Sequence, residues 1–322
     1  MSSRFMLGLI TAVLLITVFI PGCVIEESNE EKPSDDELLP ITVVDDMGDS
    51  ITISKWPEKI VSLSASATEI LYALHLGDKI VGVDSGSDYP SESKNHKVVF
   101  DGFTSTLNTE ELISLDPDLV ILHNLLDNSE NARKAIRSNG FNLLVLDPVV
   151  IDDVLDNILL MGEVTNRHSE AKTLTDSLGK RIDEVKEAGL AINSTSRPKV
   201  LYVIYYDGAS NPWVSGKHTL VDDQIGKAGG MNAVSGMDGN FEVNLETIID
   251  EDPDIILTSQ SSTWPTVSRS KILEDPVLKT VNAVKNGHVY DIDGDTTDRP
   301  GPRSVDGLEE INKIITNMMA GR

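Results

Sequence analysis

The residue types best able to do chemistry are thinly spread along this chain of 322 residues. Its six histidines (75, 96, 123, 168, 218 and 288) include no pair at i, i+2 or i, i+4. Such pairs bring two imidazoles to one metal, so a histidine-built metal site is not expected. A single cysteine, Cys23, excludes an intrachain disulfide framework and any multi-cysteine zinc or iron–sulfur centre. Ser215-Gly216-Lys217-His218-Thr219 looks like the end of a phosphate loop. Asn211 stands where that loop's first glycine belongs, however, and a histidine follows the lysine. There is no Gly-x-Ser-x-Gly elbow of the α/β-hydrolase kind. Asp291-Ile292-Asp293-Gly294-Asp295 hints at a calcium loop but lacks the glycine at its sixth position and the closing glutamate, so it reads as an acidic turn. No pair of groups stands out as nucleophile and base, which lowers an enzymatic reading and leaves no cofactor implied.

Charge narrows the choice further. The 27 basic and 52 acidic residues give 27 − 52 = −25. Nucleic acid needs clustered Lys and Arg to displace counterions, and anionic membranes need the same, so neither is an expected electrostatic partner.

The elements that must position any site show an internal repeat. Ile41 to Ile53 reads as a hairpin around Met47-Gly48-Asp49-Ser50. Lys59 to Leu63, a helix over Thr68 to Leu76, and Lys79 to Val83 make a strand–helix–strand unit, and Asp118 to Leu122, Ala132 to Asn139 and Leu143 to Leu146 repeat its rhythm. A second half starts over with strands at Lys199 to Ile204, Asp254 to Thr258 and His288 to Ile292, and a helix at Val221 to Ala228. Asn108 to Ile121 overlays Asn244 to Leu257 without a gap at an offset of 136. Asn108/Asn244, Glu110/Glu246, Asp116/Asp252, Pro117/Pro253 and Asp118/Asp254 are identical. Each copy predicts a capped short helix, a proline that stops it, and a buried strand. Two lobes related by duplication follow. Between them, Ser169 to Ile192 carries Ala171, Leu174, Leu178, Ile182, Val185 and Leu190 at helical spacing. At ~1.5 Å per residue this segment spans about 36 Å, long enough for one strut behind both lobes. Asn193-Ser194-Thr195 after it is a glycosylation sequon.

The first residues are an address rather than fold. Arg4 precedes an uncharged apolar run, Phe5 to Ile20, which is short for a membrane span and suits a signal sequence. Ile20-Pro21-Gly22-Cys23 resembles a lipobox, in which Cys23 would carry lipid and become the new N-terminus; an uncleaved signal anchor is the alternative. Val24 to Pro40 holds seven acidic residues and one lysine, a self-repelling tether. The expected organisation is signal peptide 1–22, lipidated cysteine and tether 23–40, N-terminal lobe 41–165, bridging helix 166–193 and C-terminal lobe 194–322. Either reading of the leader puts the body outside the cytoplasmic membrane.

The block KIVSLSASATEILYALHLGDKIVGV, the turn Ser87-Asp88-Tyr89-Pro90 and LNTEELISLDPDLVI resemble the N-lobe of periplasmic binding proteins for ferric siderophores, haem and cobalamin. NPWVSGKHTLVDDQIGKAGGMNAV, VNLETIIDEDPDIIL and RPGPRSVDGLEEI are similar to their C-lobe, in the family's order, over about residues 41 to 316. The resemblance implies two Rossmann-like α/β lobes bridged by one long α-helix, a metal chelate bound between them, no reaction, and a monomer that delivers to an ABC importer's permease dimer and its ATPase. It implies that Glu110 and Glu246 meet arginines of the permease; their equivalence under the 136-residue offset supports this independently, since a symmetric partner calls for paired carboxylates. The rival is that each merely favours its helix N-terminus.

The resemblance places the ligand against Ser64 and Ser66, Asp88 and Tyr89, then Trp213, Trp264 and the segment Asp295, Thr296, Thr297, Asp298 and Arg299. Trp213 and Trp264 read as loop residues, either packing plugs or platforms for a macrocycle or catecholate. Arg299 and Arg303 could pair with an anionic chelate through forked hydrogen bonds, or serve structural salt bridges. Gly86 stands where cobalamin binders can carry an aromatic, which weakens a corrin platform and keeps ferric siderophore and haem alive beside it. A cofactor-assembly enzyme on a related two-lobe fold would need cysteines that the body lacks. A non-transport surface protein is the third possibility.

Overall fold

Continuous apolar runs such as Leu119 to Leu122 and Leu143 to Leu146 can be buried on both faces only inside a parallel sheet covered by helices. That is where they lie. The computed structural model describes residues 39–101, 104, 106–124, 129–262 and 269–321. Cys23, Trp264, the leader and most of the tether lie outside the described residues.

A hairpin, β1 (Ile41–Val44) and β2 (Ser50–Ile53), precedes the first sheet. That sheet contains β3 (Ile60–Leu63), β4 (Ile80–Asp84), β5 (Lys97–Asp101), β6 (Thr106–Leu107), β7 (Leu119–His123) and β8 (Leu143–Leu146) in the order β6-β5-β4-β3-β7-β8, all parallel except β6. Helices α1 (Ala65–Ala73), α2 (Thr109–Leu115) and α3 (Ser129–Ser138) connect these strands. After α4 (Ile151–Val164) and α5 (His168–Leu190) comes the second sheet. It is built from β9 (Lys199–Tyr205), β10 (Trp213–Ser215), β11 (Met231–Asn232), β12 (Asn240–Glu242), β13 (Ile255–Gln260) and β14 (Val289–Asp293). The order is β12-β10-β9-β13-β14, with β11 also on β9; β9, β11, β13 and β14 are parallel. Its helices are α6 (Leu220–Lys227), α7 (Leu245–Glu251), α8 (Arg269–Glu274), α9 (Asn282–Lys285), α10 (Gly294–Thr297) and α11 (Ser304–Ala320). The expected fold of two α/β lobes is met.

The repeat holds in three dimensions, residue for residue at the offset of 136. Asn108 caps α2 by accepting from the Glu111 amide at 3.1 Å, and Asn244 caps α7 by accepting from the Thr247 amide at 2.8 Å. Each helix ends on an aspartate in the left-handed region, Asp116 at φ 49° and Asp252 at φ 43°. The stop is therefore made one residue before Pro117 and Pro253, by the aspartates. Asp118 and Asp254 then clamp the neighbouring strand, accepting from the Lys59 and Lys199 amides at 2.9 Å each.

α5 runs for 23 residues and packs against α4, α6 and α11. Its buried positions are Ala171, Thr175, Leu178, Ile182, Val185 and Gly189. Leu190, expected on this stripe, is 70% exposed. Steps of four and three keep the seam on one face, and they reach Gly189 rather than its neighbour. Glycine is needed there because a Cβ would meet the Lys227 carbonyl oxygen at 2.3 Å. One core cluster takes in β3 and β7, α4, α5, β9, α6 and α11, so the lobes share an apolar interior behind the cleft.

Candidate functional site

In an open parallel sheet a ligand site forms outside the carboxyl ends of the strands, where strand order reverses. In the first lobe the reversal falls between β3 and β7, which run on to Ser64 and His123. In the second it falls between β9 and β13, which run on to Tyr206 and Ser261. Helix α1 starts at once after β3, three residues sooner than its apolar pattern suggests. Ser64 is its N-cap rather than a free loop residue. The Ser64 and Ser66 hydroxyls are 2.8 Å apart, and Ser66 Oγ lies 3.4 Å from His123 Nδ1. His123 is buried, its Nε2 has no hydrogen-bond partner among the described residues, and burial pushes its pKa down to about 3.

The lobes meet here through charge. Arg303 reaches Glu69 as a fork, Nε to Oε2 at 3.0 Å and Nη2 to Oε1 at 2.6 Å. The guanidinium also lies 4.0 Å from the centre of the Tyr89 ring. Arg299 donates to Asp88 at 2.7 Å and to Asp295 at 3.0 Å, and passes Glu69 at 3.6 Å. Ser262 donates to Asp88 at 2.5 Å, and Ser261 to Asp295 at 2.7 Å. Glu69 and Asp88 belong to the first lobe; the serines, Asp295 and both arginines belong to the second. Gly301 lets the loop between those arginines lie against α1: a Cβ there would sit 3.2 Å from Glu69 Oε2 and 3.5 Å from Ser66 Cα.

Electrostatics follow burial and pairing. Burial pushes Glu69 above the usual carboxylate range, and the hydrogen bonds and charge of Arg303 offset part of that. Burial also raises Asp88 and Asp295, but serine hydrogen bonds and the charge of Arg299 outweigh it and hold both below their ordinary values. Asp84, buried behind Ser87 and the Gly86 amide, is pushed up by desolvation. Asp298, which accepts from Ser259 at 2.9 Å, is pushed up to about 6 by its burial.

The candidate residues thus divide. Ser64, Ser66, Asp88, Tyr89, Asp295, Arg299 and Arg303 converge at the meeting of the lobes. Asp298 sits behind them with Ser259. Thr296 and Thr297 are buried, and both hydroxyls donate to the Asp293 carbonyl, at 2.9 and 2.8 Å, so they serve the turn. Asp293 caps this turn by accepting from the Asp295 amide at 2.9 Å. Trp213 is not in a loop: it opens β10, opposite Tyr205 of β9 and Glu242 of β12, and its indole donates to Glu242 at 3.1 Å. It remains 42% exposed at the carboxyl end of β9. Glu110 and Glu246 are exposed in the first turns of α2 and α7, and among the described residues neither has an ion-pair partner.

The family model described as periplasmic binding protein matches residues 60–296 of the chain. The chain belongs to the periplasmic binding protein family. A relative in Bacillus subtilis, an ABC transporter substrate-binding lipoprotein, YvrC, is 31% identical over 312 residues, covering 96% of both chains. A cobalamin-binding protein of Halobacterium salinarum is 25% identical over 284 residues, covering 87% of this chain and 75% of its own. The periplasmic heme-binding protein RhuT of Roseiflexus sp. RS-1, in apo form, matches with a TM-score of 0.71 at 27% identity, covering 81% of this chain and 98% of that one. As a periplasmic binding protein the chain is a solute-binding component of transport that works outside the cytoplasm. Among the described residues no helix is long and apolar enough to cross a membrane.

Sequence reasoning misses His123, Ser261 and Ser262, and above all Glu69. Its signal is faint: one carboxylate between Ala67 and Ile70-Leu71 on an otherwise uncharged helix. A lone charge among apolar neighbours demands a partner, but its partner lies 234 residues away.

Proposed function

We propose that the cleft between the lobes captures a metal chelate of the cobalamin, ferric siderophore or haem class and delivers it to the permease dimer and ATPase of an ABC importer. The observation that carries this reading is the convergence of Ser64, Ser66, Asp88, Tyr89, Asp295, Arg299 and Arg303, from both lobes, beyond the carboxyl ends of β3, β4 and β14. What the relatives bind supports the class of ligand. Tyr89 and Trp213, 48% and 42% exposed, supply aromatic surface at this end of the molecule. Glu110 and Glu246, one on each lobe, are the contacts offered to the permease. Cys23 carries the lipid that anchors the acidic tether, in keeping with the lipoprotein relative. The organisation that goes with this reading is leader 1–22, tether 23–40, lobes 41–165 and 194–322, and bridging helix 166–193.

No reaction is assigned to the cleft. Among the described residues its hydroxyl–imidazole contact is Ser66 with His123, which is poorly suited to act as nucleophile and base near neutral pH. An imidazole held at about 3 is too weak a base.

The test is thermal unfolding and tryptophan emission of the chain from Glu26 onward against hydroxocobalamin, haem and ferric siderophores. A ligand at ~100 times its Kd stabilises by about 2.7 kcal/mol. A saturable shift with one of them supports the assignment; no shift with any refutes it.

A further inference from the structure

The charge of the cleft points to the charge of its cargo. Resting on the reading of the cleft as a chelate site, we propose that it selects neutral or cationic chelates and rejects anionic ones such as ferric tris-catecholates and haem with its propionates. Recognition of an anionic chelate needs guanidinium donors with open faces. Here both inter-lobe guanidiniums are already spent on the protein's own carboxylates. Arg303 forks onto Glu69, and Arg299 is divided between Asp88 and Asp295. Their side chains are only 19% and 11% exposed.

An incoming anion would have to displace one of these partners. Glu69, with 2% of its side chain exposed, would then stand as an uncompensated charge out of reach of water. Displacing Asp88 would also break its bond to Ser262 and part the lobes at that point. The balance of charge runs the same way. Lys94 adds its charge against Asp88, and Asp293 faces Arg303. Even with the buried Asp84 and Asp298 set aside, four carboxylates (Glu69, Asp88, Asp293, Asp295) face three cations (Arg299, Arg303, Lys94), a net of −1. The segments outside the described residues between 102 and 268 contain no Lys or Arg, so they bring no further cation. At −25, the whole chain adds a repulsive field to any anionic ligand.

The test is a binding series on the chain from Glu26 onward at neutral pH, by calorimetry, at low and high salt. The probes are aquacobalamin (cationic), ferrichrome (a neutral ferric tris-hydroxamate), ferric enterobactin (an anionic tris-catecholate) and haem. At least one of the first two should bind, with the anionic pair weaker by roughly tenfold or more. Raising salt from about 0.05 to about 0.5 M should narrow that gap, because screening removes the discrimination between charges. Anionic chelates binding as tightly as the others, or a gap that salt does not change, overturns the charge selection while leaving the chelate reading standing. Binding of none of the four overturns both.

Discussion

Arg303→Ala should destabilise the protein at neutral pH and should lose much of that effect in mild acid. The substitution leaves Glu69 with 2% side-chain exposure and no forked partner; Arg299 remains 3.6 Å away but is already engaged by Asp88 and Asp295. Removing one member of a buried pair costs about 3–5 kcal/mol. The remaining guanidinium lowers this, and loss of the contact with the Tyr89 ring adds about 0.5–1 kcal/mol, so about 3 kcal/mol is expected at pH 7.5. Glu69 already has a folded-state pKa above its ordinary value of 4.5, because burial outweighs Arg303. Without Arg303 it rises further. A group raised in this way contributes stability that is fully present below the unfolded value and is lost as pH rises through the folded one. The variant's deficit should therefore shrink from pH 7.5 to pH 5.5, by up to ~1.4 kcal/mol for each pH unit over which Glu69 is protonated in the folded variant but ionised in the folded wild type. Urea unfolding of both proteins at the two pH values reads this directly. Measured against Glu69→Gln alone, Glu69→Gln with Arg303→Ala should show a deficit that pH does not alter. An Arg303→Ala deficit equal at both pH values would refute the account of Glu69 as a buried charge held by its partner.

Other consequences can be checked singly. Asp298, pushed up to about 6 from 3.8, should make the wild-type protein lose stability as pH rises through that interval; Asp298→Asn should flatten the loss and raise neutral-pH stability by as much as about 3 kcal/mol, measured by denaturation from pH 4 to 7. Glu110→Arg with Glu246→Arg should abolish uptake of the chelate in cells while leaving its affinity for the purified protein unchanged; unchanged uptake would end the docking assignment. Gly189→Ala drives a methyl into the Lys227 carbonyl where α5 crosses α6, and should cost about 1–3 kcal/mol by thermal unfolding; a variant as stable as the parent would show that α5 can shift there.

Much of this architecture is legible in the chain because it rests on local chemistry. Asn108 and Asn244 cap, Asp116 and Asp252 stop, and the apolar runs that follow have nowhere to go but a covered sheet. These features recur at one offset, which is why two lobes can be read without a structure. The site is less legible because its decisive pairs are not local. Glu69 and Arg303 are 234 residues apart and Asp88 and Arg299 are 211 apart, and no periodicity links them. The threonines at 296 and 297 look like ligand contacts until their hydroxyls are seen to serve the Asp293 carbonyl. Trp213 looks like a loop residue because Asn211 and Pro212 precede it, yet pairing with β9 and β12 overrides that signal.

The same long-range pairs bear on how the protein moves. A receptor whose lobes are joined by a flexible hinge binds by closing, and its ligand meets the cost of ordering the two halves. Here α4, α5, α6 and α11 contribute to one apolar cluster that runs behind the cleft through both lobes, and Glu69, Asp88, Arg299 and Arg303 tie the lobes together in front of it. Rotation of one lobe against the other would have to shear a close-packed interior and separate buried charges at once. On the proposed reading the site is therefore set before the ligand arrives, and a chelate would meet the Tyr89 ring as it stands. In such a receptor the signal to the permease cannot depend on a large closure. Under the proposed docking of Glu110 and Glu246, that signal lies in what the ligand adds at the cleft mouth, between two lobes tied together by buried pairs.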